Sequence, residues 1–122
     1  MLMTNPPLPQ RRILVVDDNP DAANMLASLL ESHGQSVEQA YDGETALQIA
    51  REFHPDIVFL DLMMPGMDGF EVAQELRLRE LMATTRTILV AATGMGDPAF
   101  REATTEIGFD GHLQKPLSTE TV

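Results

Sequence analysis

The chain has 122 residues, which fits one domain of ordinary size, and 43% of them are hydrophobic, enough for a packed core. A formal net charge of −11 argues against direct binding to nucleic acid or to an anionic membrane, and suits cations or a basic protein surface. The absence of cysteine excludes disulfides and thiolate metal sites and is compatible with a cytoplasmic location.

No apolar run approaches the ~18 residues of a membrane span. Residues 1–10 contain Pro6, Pro7 and Pro9 and lack the basic start and apolar core of a secretory signal. They read as an extended linker or tail, with the domain proper over 11–122. The eight methionines read as core filler.

Arg11 to Val16 predicts a first strand that runs straight into Asp17 and Asp18. Asn19-Pro20-Asp21 opens a helix, with Ala22, Met25, Leu26, Leu29, Leu30 and His33 at helical spacing and Gly34 as its stop. Val37 to Tyr41 is a more polar strand, expected near a sheet edge. Asp42 is a natural N-cap for a helix over Gly43 to Phe53, with Ala46, Leu47, Ala50 and Phe53 facing inward. Pro55 ends it.

Ile57-Val58-Phe59-Leu60 is a short apolar run, read as a strand buried on both faces and ending at Asp61. Pro65-Gly66 makes a turn. Asp68 and Glu71 have capping-box spacing for a helix that continues to about Ala83, with Val72, Ala73 and Leu76 as core positions. Thr87 to Thr93 is a fourth strand. Asp97-Pro98 starts a further helix, with Phe100, Ala103 and Ile107 inward and Gly108 as its stop. Asp110 to Gln114 is a fifth strand, followed by Lys115-Pro116, and Ser118 could cap one more helix.

Strands alternating with helices at this spacing predict a parallel sheet with right-handed crossovers and helices on both faces. In such a sheet the carboxyl ends of the strands share one edge, where ligands bind. Asp17, Asp18, Asp61, Thr93 and Lys115 therefore fall in one neighbourhood. Carboxylates ~4 Å apart repel by on the order of 1 kcal/mol per pair in water, and more where water is scarce. A hard cation such as Mg²⁺, or Lys115, would offset this. A carboxylate beside Mg²⁺, a lysine and a hydroxyl is placed to attack phosphorus and form an aspartyl phosphate.

Four stretches together resemble one known family: Val15-Val16-Asp17-Asp18-Asn19, Leu60 through Gly69, Ala92-Thr93-Gly94 and Gln114-Lys115-Pro116. The chain resembles the response-regulator receiver domains of two-component signalling. The resemblance implies a doubly wound five-stranded sheet in the order 2-1-3-4-5. It implies that Asp61 accepts a phosphoryl group from a histidine kinase phosphohistidine. It implies Mg²⁺ held by Asp18, Asp61 and the main-chain carbonyl of Met63, with Asp17 acting through water. Thr93 and Lys115 would couple the phosphoryl group to the face of the fourth helix and fifth strand, which partners read. Those partners are a histidine kinase, in trans or fused as in hybrid sensor kinases, an output domain or downstream protein, and a second copy of the chain.

The sequence departs from the family pattern at three places. His112 stands where the family usually has the Tyr or Phe of a rotamer switch. Met63 and Met95 flank the site where polar residues are common, and neither can orient an attacking water, so a long-lived phosphoryl state is expected. The chain ends as a fifth helix should begin, which is the expectation for a fragment of a longer protein or for cover by a neighbouring chain.

Simpler readings exist for each residue. Asp17 and Asp18 could cap the first helix, Asp61 could cap something near its loop, and Lys115 could be a surface lysine. His33 reads as a helix C-terminal residue and His54 as a loop residue. Rival functions are an aspartate-nucleophile phosphohydrolase, a nucleotide- or flavin-binding module, and a receiver that acts by binding alone. The hydrolase wants a second Asp two positions after the nucleophile, where Met63 stands. The nucleotide module wants glycines in the first turn, where Asp17 and Asp18 would repel a pyrophosphate.

Overall fold

The computed structural model describes residues 10–64, 66–81, 86–93, 106 and 108–114, with backbone only at Thr93 and Gln114. The elements are β1 (Arg12–Val16), α1 (Pro20–Ser32), β2 (Ser36–Ala40), α2 (Gly43–Phe53), β3 (Ile57–Asp61), α3 (Gly69–Glu80), β4 (Ile88–Thr93) and β5 (Gly111–Gln114). All strand pairs are parallel, and the sheet order is β2-β1-β3-β4-β5. The predicted doubly wound order is thus the observed one, with the polar β2 at an edge.

Side chains alternate across β1, so its four apolar residues serve two cores. Leu14 and Val16 join Val58 and Leu60 of β3 under Ala46, Leu47, Val72 and Leu76 of α2 and α3. Ile13 and Val15 pack on the other face against Ala23, Leu26 and Leu30 of α1. β3 departs from the expectation of burial on both faces: Val58 and Leu60 are fully buried, whereas Ile57 and Phe59 are half-buried. Among the described residues, those two lie at the margin of the α1 core rather than beneath it.

Helix α1 is turned relative to the sequence expectation. Its buried face is Ala23, Leu26, Ala27 and Leu30, while Met25 is 47% exposed. The spacing i, i+3, i+4, i+7 is kept, but two alanines replace larger residues in it, and small side chains let a helix lie close on a sheet. Core filling likewise describes Met64, which is buried, but not Met25 or Met63.

The helix ends follow local chemistry. Asn19 Oδ1 accepts from the Asp21 and Ala22 amides, with Pro20 at the first helical position. At the other end of α1, Gly34 takes φ +85°, its amide bonds Glu31 O and the Gln35 amide bonds Leu30 O, a Schellman closure. His33 is the C-cap, with Nδ1 2.9 Å from Leu29 O. Asp42 caps α2 by accepting from the Thr45 amide and hydroxyl at 2.8 and 2.9 Å. These bonds hold its carboxyl below the ordinary value of 3.8. Asp68 caps α3 by accepting from the Glu71 amide at 3.0 Å. His54, read as a loop residue, is the α2 C-cap in the left-handed region at φ 53°.

Helix α3 ends at Glu80 with Leu81 as C-cap, before the expected Ala83, which lies outside the described residues. So do residues 1–9, Pro65, Met95, the Asp97-Pro98 helix start with Phe100, Ala103 and Ile107, Lys115-Pro116 and Ser118. Glu106 is helical and Gly108 has φ +117°, in keeping with the expected helix stop. β5 begins at Gly111 rather than Asp110, because Asp110 is used otherwise. Its amide bonds Leu89 O at 2.7 Å and its Oδ2 accepts from the Leu89 amide at 2.9 Å.

Candidate metal centre

Three carboxylates meet where β1 and β3 leave the sheet. Asp17 follows the last residue of β1, and its amide bonds Ala40 O at 3.1 Å, which prolongs the pairing with β2. Its Oδ1 accepts from the Asn19 amide at 3.0 Å. Asp18 is exposed in the bend that follows. Asp61 is the last residue of β3, opposite Ala92 in register, and its Oδ1 accepts from the Met63 amide at 3.0 Å. Asp17 and Asp61 are 6% and 5% exposed, the two buried acids among the described residues.

One carboxylate oxygen from each of Asp17, Asp18 and Asp61 lies within 4.8 Å of the other two. The simpler readings can be set against this. Helix α1 is capped by Asn19 and α3 by Asp68, so none of the three acids is the cap of either helix. Burying two carboxylates beside a third is costly unless positive charge joins them. The donor set is all oxygen, part buried and part open to solvent. It suits a hard cation such as Mg²⁺, which binds carboxylates and retains several waters.

The other expected site residues fall as follows. Met63 is two residues beyond Asp61 and 62% exposed. Thr93 ends β4, one residue past the register partner of Asp61, and pairs with Gln114. His112 is half-buried on β5 opposite Ala91, whose side chain belongs to the core under α2 and α3. Lys115 lies outside the described residues.

Two glycines that sequence reasoning treated only as helix starts also shape this edge. A Cβ on Gly69 would run into the carbonyl oxygen of Asp61 and sit 2.9 Å from Leu62 Cα. A Cβ on Gly43 would sit 2.9 Å from Cβ, Cγ and the carbonyl oxygen of Met67. Glycine is a poor helix former. Its presence right after both capping aspartates, Asp42 and Asp68, is the signal that could have revealed the close approach.

Comparison with known proteins fits this geometry. The family model described as the response regulator receiver domain matches residues 13–122. A probable transcriptional regulator of Cyanophora paradoxa, ycf27, is 39% identical over 109 residues, which is 89% of this chain but 44% of that protein. The chain thus spans less than half the length of that curated relative. The chemotaxis protein CheY4 of Vibrio cholerae has a similar structure, with a TM-score of 0.85 at 30% identity, covering 93% of this chain and 92% of that one. The receiver domain of the histidine kinase CKI1 from Arabidopsis thaliana, in complex with Mg²⁺, gives 0.81 at 30% identity, covering 90% of this chain and 86% of that one. A sheet in the order 2-1-3-4-5, a clustered acidic triad at its carboxyl edge and a family match over nearly the whole chain lead to one assignment: this protein belongs to the response regulator receiver domain family.

Proposed function

We propose that this receiver is a phosphoacceptor switch over residues 11–122, with residues 1–10 as a proline-rich linker or tail, and that Asp61 takes the phosphoryl group. A carboxylate oxygen of Asp61 attacks the phosphorus of a histidine kinase phosphohistidine. The P–N bond breaks, the imidazole leaves, and the product is an aspartyl phosphate. Asp18, Asp61 and the Met63 carbonyl would hold Mg²⁺, with Asp17 acting through water. When bound, Mg²⁺ supplies charge neutralisation to the phosphoryl oxygens. Asp61 starts from a fixed position, since its oxygen is held by the Met63 amide and its backbone by the sheet. Thr93 and Lys115 pair with the phosphoryl group, and His112 passes the change to the face read by an output domain or downstream protein. In this reading the kinase is separate or fused in the same chain, the domain works in the cytoplasm, and a homodimer is one form of the output.

The supporting observation is the convergence of three carboxylates within 4.8 Å, a repulsion that nearby positive charge, from a cation or a lysine, offsets. The test is incubation with acetyl phosphate and Mg²⁺ followed by intact mass spectrometry. The wild-type chain should gain one phosphoryl mass, and Asp61→Asn should gain none. Equal labelling of the two, or no labelling of the wild type, rules out Asp61 as acceptor.

The exposed Met63 offers no group to orient water at the phosphorus. The phosphoryl state should therefore outlast removal of the phosphoryl donor by minutes or more. Introducing Met63→Asn should shorten it severalfold. Loss of label within seconds in the wild-type domain defeats this expectation.

A further inference from the structure

The chain carries 8 Lys and Arg against 19 Asp and Glu, yet four of its arginines line a single cavity of about 370 Å³. The cavity lies at the end of the sheet opposite the acidic notch. Arg12 opens β1 and Asp17 follows its last residue, about 16 Å further along at ordinary strand rise. Arg12, Arg51, Arg79 and Arg86 come from β1, α2, α3 and the segment before β4.

Three of these four cations have no carboxylate partner among the described residues. Glu80 on the cavity wall is bound by Arg77 at 2.8 Å, from outside the cavity, and by the Thr87 amide at 2.6 Å. Arg86 pairs with Asp110 at 2.7 Å. The three without one are Arg12, Arg51 and Arg79. Arg12 Nε donates to His54 O and Arg79 Nη1 to Leu47 O, each at 3.0 Å. Those bonds to neutral oxygens fix the side chains without supplying a full opposite charge. Asp56 is the remaining acid on the wall, and it accepts from the Arg12 amide at 2.8 Å.

Arg51 and Arg79 lie in the last turns of α2 and α3, where a cation offsets the helix dipole. Arg12, from a strand, reaches the same end of α2 through the C-cap carbonyl of His54, so three cations converge on one place rather than each capping a separate helix. The cavity also has an apolar lining in the buried Ala50, Pro55 and Leu76. Its volume falls within the range of about 300–1,000 Å³ usual for small-ligand pockets. Guanidinium forks match phosphate oxygens two at a time. We propose that this cavity binds an organic polyphosphate of the nucleoside diphosphate class, with the phosphates on Arg12, Arg51 and Arg79 and the apolar body against Ala50, Pro55 and Leu76.

The test is titration of the ¹⁵N-labelled chain with ADP and, separately, with pyrophosphate, in EDTA so that no metal draws phosphate to the acidic notch. ADP should give saturable amide shifts at Arg51, His54, Asp56 and Thr87, and should bind roughly tenfold more tightly than pyrophosphate because of its apolar body. Arg51→Gln, which removes a side chain with no hydrogen bond among the described residues, should weaken ADP at least about tenfold while lowering the melting temperature by no more than the few degrees that one dipole-offsetting cation is worth. Arg51→Lys should restore part of the loss. Equal binding of ADP and pyrophosphate, shifts centred on Asp17 and Asp61, binding indifferent to Arg51→Gln, or no binding overturns the proposal and leaves the arginines as counter-charges to helix ends.

Discussion

Gly69→Ala should destabilise the domain by about 2 kcal/mol and cut phosphoryl uptake from acetyl phosphate by tenfold or more. The added methyl group meets the Asp61 carbonyl oxygen and Leu62 Cα, both backbone atoms that cannot swing aside. Either α3 slides outward or the end of β3 moves. Alanine is the better helix former by about 1 kcal/mol, so a net loss can only come from this crowding. Overpacking of this kind costs about 1–3 kcal/mol. The Asp61 side chain starts from the same Cα, so the carboxylate leaves the position that holds it near Asp17 and Asp18. Urea denaturation reads the first effect and mass spectrometry of the phosphorylated chain the second. A variant as stable and as readily phosphorylated as the wild type would show that the backbone yields at no cost.

Arg77→Met should cost about 3 kcal/mol while leaving phosphoryl uptake intact at temperatures where the variant is folded. Arg77 is half-buried and ties α3 to the segment before β4 and to the segment before β5. Its Nε and Nη2 donate to Gly108 O at 3.1 and 2.6 Å, Nη1 donates to Thr87 O at 2.7 Å and to Glu80 Oε2 at 2.8 Å, and Nη2 donates to Asp110 Oδ2 at 2.9 Å. Methionine keeps the apolar stem and removes every one of these bonds.

The loss should depend on pH. Burial alone would raise the Asp110 carboxyl. The Leu89 amide, Arg86 and the charge of Arg77 outweigh it and hold the group below its ordinary 3.8. Ionised Asp110 therefore contributes stability above about pH 4, and this is lost as pH falls through the lowered value. The variant has less of that contribution to lose. The stability gap between wild type and Arg77→Met should be full at pH 7 and narrow below about pH 4. A gap that stays constant with pH would assign the effect to packing and neutral hydrogen bonds.

The parts of this molecule that were legible in sequence rest on local rules. Asp42 caps the helix it precedes, and Asp68 the one that its spacing to Glu71 announces. The acids Asp17, Asp18 and Asp61 meet because each follows an apolar strand, and parallel strands end on one side. The facing of α1 is less legible, because Ala22, Met25 and Leu29 share helical spacing with Leu26 as well as Ala23 and Ala27 do, and the buried alanines let the helix approach the sheet. The ties made by Arg77 are illegible for another reason. Its partners Gly108 and Asp110 are 31 and 33 residues away, and one charge among many carries no mark of which distant carbonyl it will reach. The cavity of arginines is hidden in the same way, since its members are spread from Arg12 to Arg86.

The opposed placement of Arg12 and Asp17 at the two ends of β1 makes the domain a permanent electric dipole as well as a polyanion. In the field of a charged neighbour such a body feels a torque, so it turns before it touches. A cationic surface approaching from any side draws the carboxylate pole round to face it, and collisions become oriented at long range. That bias fades once dissolved ions shorten the reach of the field to about 8 Å at physiological salt.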